Sequence, residues 1–275
     1  MFRSPHSSAL RLWMATWSIA LVVVACAKVP ITGRSQLNLI PDGEMLSMSA
    51  QQYQAFLKEN KLSQDRARTE EVKRVGVRIQ GAVERYFREN GMAKELQNYS
   101  WEFNLVENKE KNAWCMSGGK VVFYTGILPV CKDEAGIAVV MGHEVAHAVA
   151  KHGSERMSQG LLAEMGGAAL STALSKEPER TQSLFLTAFG VGVQYGALLP
   201  FSRGQESEAD HLGLVFMSMA GYDPETAVGF WERMASEKTG GAPPEFMSTH
   251  PSDATRIQKI RELLPEAKRY YRPAP

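Results

Sequence analysis

Cysteine is scarce. Three residues in 275 are too few to staple a fold with disulfides. Neither sign of charge is in excess: 31 lysines and arginines stand against 30 aspartates and glutamates, for a net charge of +1. That balance gives no electrostatic reason to expect nucleic acid as a partner. No internal repeat recurs, so the chain does not read as a solenoid. What is present is ordinary for a folded protein: 44% hydrophobic and 22% charged residues, enough apolar surface for a buried core. The length fits one large domain or two small ones.

Long apolar runs are also rare, and the first is short. Residues 12–25 (LWMATWSIALVVVA) carry no charge and follow Arg3 and Arg11. As a helix they would span ~21 Å, less than the ~30 Å of a hydrocarbon core. Residues 1–25 therefore read as a secretory signal. Val23-Val24-Ala25-Cys26 resembles a bacterial lipobox, which implies cleavage before Cys26 and acylation of that residue. The mature chain would then sit on a lipid bilayer through several acyl chains, each buried CH₂ adding ~0.8 kcal/mol. Ala27, where an aspartate would signal retention, points by likeness to enteric sorting rules to the outer membrane, facing the periplasm. An ordinary cleaved signal with an incidental cysteine is the alternative. For Cys115 and Cys131, a bridge and two separate buried thiols are both open.

Residues 26–41 read as an extended tether and 42–275 as one domain. Helices are expected over 42–58 and 65–90, the second with Val72, Val75, Ile79, Val83 and Tyr86 or Phe87 at three-to-four spacing. Residues 99–107 alternate, with Trp101, Phe103 and Leu105 on one face, and 112–117 and 120–125 read as strands joined at Gly118-Gly119. Asp133 can cap a helix that runs to about Lys151. Helices follow over 155–175, 181–199, 203–220 and 224–238, and a last one from about Ser252 to Leu264. Residues 183–201 hold no formal charge, but glycines and polar side chains dilute them. They read as a buried helix beside the functional site, in preference to a membrane-inserted one. The fold class is α+β, mainly helical with one small β-sheet.

Chemistry concentrates in two short stretches. Residues 143–147 are His-Glu-Val-Ala-His. On a helix His143 and His147 share a face one turn apart, and two imidazoles so placed can reach one ion at ~2.0–2.1 Å each. Burying them with Glu144 among Ile137, Val140, Met141, Val145 and Val149 is costly without a task. Residues 202–210 offer a second i, i+4 pair, Glu206 and Asp210. Two histidines plus one carboxylate make a three-ligand zinc set with a fourth position for water. A further carboxylate commonly holds the far nitrogen of a ligating histidine. Glu206 is therefore assigned as ligand and Asp210 as its companion on His143 or His147. Glu208 competes but lies off that face.

His143-Glu144-x-x-His147 with Glu206-x-x-Ala209-Asp210 resembles the gluzincin peptidases of family M48. These include CAAX prenyl proteases, OMA-type mitochondrial proteases and periplasmic lipoprotein proteases. Asn112-Ala113-Trp114 and Gly118-Gly119-Lys120 to Thr125-Gly126 resemble the strand before that family's zinc helix. Thr249-His250-Pro251 with Arg256 resembles its C-terminal signature. The likeness covers about residues 65–265. Trp114 departs from it, since smaller aromatic residues are usual there. The resemblance implies a zincin-like metallopeptidase domain with one Zn2+ per chain on His143, His147 and Glu206. Glu144 would take a proton from a zinc-activated water and return it to the leaving amine. By the same likeness His250 and Arg256 are candidates for supporting the oxyanion. In periplasmic relatives the matching histidine can instead take the fourth zinc position and hold the enzyme latent.

An extended substrate would pair with a strand edge near 113–124, at Asn112, Ala113, Gly118 and Gly119. That suits misfolded or envelope proteins as substrates, and outer-membrane assembly or quality-control machinery as partners. An envelope-protein chaperone with a latent or structural zinc site is the alternative function. A zinc hydrolase of cell-wall cross-links is a third.

Overall fold

The computed structural model describes residues 26–29, 32–165, 202–237, 244–250 and 254–273. The readings of residues 1–25 as a signal, of 181–199 as a helix and of 183–201 as an uncharged buried run lie outside the described residues. Within them the chain opens on a small antiparallel ribbon, β1 (Cys26–Lys28) and β2 (Ser35–Leu37), with Cys26 opposite Leu37. Val29, Gln36 and Ile40 are buried. The stretch expected to be an extended tether packs on the domain through these residues, because removing its apolar side chains from water favours docking.

α1 (Asp42–Glu59) buries Met45, Ser49 and Tyr53 at four-residue intervals. α2 (Arg66–Glu89) starts where the Asp65 side chain accepts from Arg68 N at 3.0 Å. Its buried stripe includes Val72, Val75, Ile79, Val83, Tyr86 and Phe87, the three-to-four pattern of an amphipathic helix. β3 (Glu102–Val106), β4 (Ala113–Met116) and β5 (Lys120–Tyr124) form a sheet in the order β3-β5-β4. β3 pairs parallel with β5 and β4 antiparallel with it, Ala113 opposite Phe123. Of the expected 113–124 edge, therefore, only β4 is an edge; Lys120–Tyr124 is the interior strand. Gly118 (φ 85) and Gly119 (φ 78) make the turn between them in the left-handed region that glycine enters freely.

A short helix that the sequence did not signal, α3 (Leu128–Cys131), leads into α4 (Glu134–Val149). Asp133 caps α4 by accepting from Gly136 N at 3.0 Å. From Gly136 to Val149 every residue of α4 is buried, as in a helix enclosed by the core. It stops short of Lys151, which takes φ 58 and turns the chain into α5 (His152–Met165). α6 (Arg203–Met219) opens on a capping box between Ser202 and Gln205 and packs along α4. α7 (Thr226–Ser236), the unexpected α8 (Glu245–Thr249) and α9 (Ala254–Tyr270) complete the chain, α9 lying against α6. The architecture is α+β, mainly helical with a small three-stranded sheet. Cys115 and Cys131 are separate buried thiols, not a bridge. Among the described residues no helix is long and apolar enough to cross a membrane.

Candidate metal centre

α4 supplies His143 and His147 from one face, and α6 supplies Glu206 and Asp210. His250 caps the C-terminus of α8, and Arg256 comes from the first turn of α9. His143, His147, Glu206 and His250 are buried, and each brings one donor atom within 4.8 Å of the others. His143 Nε2 lies 3.1 Å from both His147 Nε2 and His250 Nδ1. Glu206 Oε1 is 3.0 Å from His250 Nδ1 and 3.3 Å from His147 Nε2.

Donors placed tetrahedrally at ~2.05 Å from one cation would stand ~3.3 Å apart along each edge. The measured separations lie close to that edge. Three converging imidazoles also have too few ring protons to satisfy one another, whereas a cation satisfies every lone pair at once. Imidazole with carboxylate is a donor set that zinc accepts.

The supporting residues are just as enclosed. Asp210 Oδ1 lies 3.0 Å from His143 Nδ1. Arg256 grips Asp210 with two hydrogen bonds, Nε to Oδ2 at 2.8 Å and Nη2 to Oδ1 at 2.7 Å. Its Nη1 is 2.7 Å from Glu206 Oε2, and its guanidinium lies 3.6 Å over the Trp231 ring. Glu144 is buried, with Oε1 3.4 Å from His250 Nε2.

Other sequence-derived residues stand apart from the cluster. Asn112 Oδ1 accepts from Ala113 N at 2.9 Å, at the head of β4. The carbonyls of Gly118 and Gly119 accept from Ser100 and Glu102 N–H at 3.0 Å each. Cys26 opens β1. Glu208 is not among the clustered donors. Its Oε2 is 3.0 Å from Nε2 of His152, whose Nδ1 is 2.8 Å from His147 Nδ1. His152 gave no sequence signal, since it stands five residues beyond His147 and off the helical spacing of the pair.

Burial opposes charge on every group here, and the partners decide the outcome. Burial lifts the Glu144 carboxyl to about 8. It also pulls on His143, but hydrogen bonds to Asp210 and Glu206 carry that imidazole up to about 9. Burial takes His147 well below its ordinary value and His250 down to about 4. Glu206 stays well below the usual carboxylate range in spite of burial, because His250 and Arg256 face it. Asp210 is lowered, again against burial, first by Arg256. Arg256 faces both Glu206 and Asp210 and offsets part of their charge; metal binding to such a centre releases protons from its ligands.

The family model for Peptidase family M48 matches residues 74–264. The mitochondrial metalloendopeptidase OMA1 of Schizosaccharomyces pombe is 42% identical over 174 residues, 63% of this chain and 49% of its own length. The mitochondrial metalloendopeptidase OMA1 of Homo sapiens is 30% identical over 246 residues, 86% of this chain and 46% of its own. The beta-barrel assembly-enhancing protease of Escherichia coli is 28% identical over 165 residues, 58% of this chain and 34% of its own. The chain spans about half or less of the length of these relatives.

Proposed function

The chain belongs to peptidase family M48, and from that premise we propose a zinc-dependent endopeptidase, held on a bacterial envelope membrane through acylated Cys26, that cuts misfolded or envelope proteins. The observation that carries the reading is the convergence of His143, His147 and Glu206 beside the buried carboxyl of Glu144. Those three side chains would hold one Zn2+, which when bound supplies Lewis-acid polarisation of the scissile carbonyl and a lowered pKa for water.

Glu144 carries the proton. Its buried carboxyl stands beside the clustered donors, 3.4 Å from His250 Nε2, and ionised next to a bound cation it would accept a proton from attacking water and pass it to the leaving amine. Asp210 accepts the Nδ1 proton of His143 and so leaves Nε2 for the metal. The N–H groups of Arg256 are engaged by Asp210, Glu206 and the His250 carbonyl. We assign it to holding the two carboxylates in place, and oxyanion support to His250. Extended substrate pairs on β4, with Asn112 and Ala113 at its head and Gly118-Gly119 at its turn. A relative named for enhancing beta-barrel assembly supports outer-membrane assembly or quality-control machinery as partners, while the periplasm-facing outer-membrane location rests on Val23-Val24-Ala25-Cys26 and Ala27 in the sequence.

The test is casein hydrolysis by the zinc-loaded protein, with and without chelator, beside Glu144→Gln. Cleavage should be abolished by chelation and by the substitution, with zinc still bound to Glu144→Gln. Chelator-resistant cleavage, or full turnover by that variant, overturns the reading.

A second reading is favoured by the place of His250 Nδ1 among the clustered donors. Four protein donors would make the centre latent, or structural in an envelope-protein chaperone. α8 is tied to the approach to β4, since Phe246 N–H donates to the Lys111 carbonyl at 3.1 Å. A silent parent whose activity appears in His250→Ala marks latency. Silence of both marks the chaperone.

A further inference from the structure

Behind His147 a file of polar side chains runs out to the N-terminal ribbon. His147 Nδ1 meets His152 Nδ1 at 2.8 Å, and His152 Nε2 meets Glu208 Oε2 at 3.0 Å. Glu208 accepts from Arg34 Nε at 2.8 Å and from the Thr32 hydroxyl. Arg34 also forks onto Glu155, with Nη1 to Oε1 and Nη2 to Oε2 at 2.9 Å each. Glu155 in turn accepts from Gln205 Nε2 at 2.7 Å. The His152, Glu208 and Glu155 side chains are 0%, 5% and 7% exposed, whereas Arg34 is 34% exposed.

With His147 Nε2 given to a metal, the direction of each bond follows. His147 Nε2 points into the donor cluster, so its ring proton sits on Nδ1 and donates to His152 Nδ1. His152 must then carry its own proton on Nε2 and donate it to Glu208. Burial resists the charge this requires on Glu208, and His152, Thr32 and Arg34 all face that carboxylate. Two buried carboxylates would be strongly destabilising without the cation that faces both. That cation is supplied by the ribbon and not by the helices that build the centre. The same ribbon begins at Cys26.

We propose that the N-terminal arm is a working part of the metal centre: through Glu208 and His152, Arg34 fixes the tautomer and orientation of His147, so that the metal is held tightly only while the arm is docked. Arg34, Glu208 and His152 are positioning residues. The proposal rests on the reading above in one respect, that His147 is a metal ligand. Thr32 and Arg34 are the members of the file that water reaches, so the ribbon is where the file can let go.

The experiment is zinc affinity and zinc release rate, measured by chelator competition on the full chain with folding followed by circular dichroism. Loss of an outer partner of a ligating histidine weakens metal binding by ~10–100-fold, and His152→Phe should fall in that range. Arg34→Met and Glu208→Gln, one and two bonds further out, should each weaken it by ~3–10-fold, and less than additively together, because they act along one file. His152→Asn keeps an oxygen that can accept from His147 and should recover part of the loss. A merely structural ion pair would lower Tm and leave zinc affinity and release unchanged. Affinity of Arg34→Met and Glu208→Gln within about twofold of the parent therefore overturns the proposal, whatever His152→Phe does. If His152→Phe does not fold, Arg34→Met decides alone. A parent that binds no zinc removes the earlier reading, and this one with it.

Discussion

The spacing of α4 and α6 decides whether Glu206 reaches the two histidines, and Gly213→Ala perturbs that spacing directly. A Cβ at position 213 would lie 2.9 Å from His143 N, 3.0 Å from Gly142 C and 3.1 Å from His143 Cα, where ordinary contact is 3.4–4 Å. All three atoms are α4 backbone, so no side chain can rotate away. The helices must separate by ~0.5 Å, or α4 must bend at its first clustered histidine. Glu206 stands two turns before Gly213, ~10 Å along the axis, and moves with α6. Metal sites tolerate only ~0.2 Å in ligand distance.

Two terms oppose each other in stability. Alanine's helix propensity returns up to ~1 kcal/mol, and overpacking costs ~1–3 kcal/mol. The net expectation is a loss of at most ~3 kcal/mol with zinc affinity reduced ~10-fold or more. Gly81→Ala is the control. It sits in α2 with nothing within 4 Å of a new Cβ, so it should stabilise by up to ~1 kcal/mol and leave zinc binding alone. The assays are thermal denaturation with and without chelator, and competition titration of zinc. If Gly213→Ala holds zinc as tightly as the parent, helix spacing is not what places Glu206 and the reasoning fails.

Two further outcomes are expected. Cys26→Ser should move the chain from the membrane to the soluble fraction and abolish labelling by a fatty-acid probe; membrane retention with labelling intact removes Cys26 as the anchor. In metal-free protein, Glu144 should make stability fall as pH rises. Its folded carboxyl titrates at about 8 against an ordinary 4.5, so the fold keeps a proton that the unfolded chain has lost. That contribution is complete below pH ~4.5 and gone above pH ~8. Glu144→Gln cannot titrate, so its denaturation midpoint should rise relative to the parent's across that window. Parallel curves would show that Glu144 is not held protonated by its surroundings.

The legible part of this molecule is the part governed by helical spacing. The buried stripe of α2 and the aspartate caps at Asp65 and Asp133 follow from residues within one or two turns. The same holds for the two i, i+4 pairs, and the structure brings one member of the α6 pair against both histidines of α4. His152 was not legible. On an unbroken helix, five residues beyond His147 would put it ~140° around the axis. It returns to His147 because Lys151 turns left-handed at φ 58, a conformation that the side chain does not announce. Arg34 was hidden for another reason. Its partners Glu155 and Glu208 lie 121 and 174 residues away, so in sequence it stands as one more solvated cation in a polar tether. The sheet order was partly hidden too. Gly118-Gly119 announces a hairpin, but only the parallel pairing of β3 on β5 makes β4 the edge.

Part of the cost of burying this cluster is offset by a cation that the fold itself supplies. Four clustered donors and the Asp210 carboxylate inside a core would ordinarily be ruinous, because each unpaired buried charge costs several kcal/mol. Arg256 supplies one compensating charge, shared between Asp210 and Glu206, and its own face is covered by Trp231. A divalent cation on His143, His147 and Glu206 would supply the positive charge still wanting, and the arm behind His147 would set how firmly that cation is held.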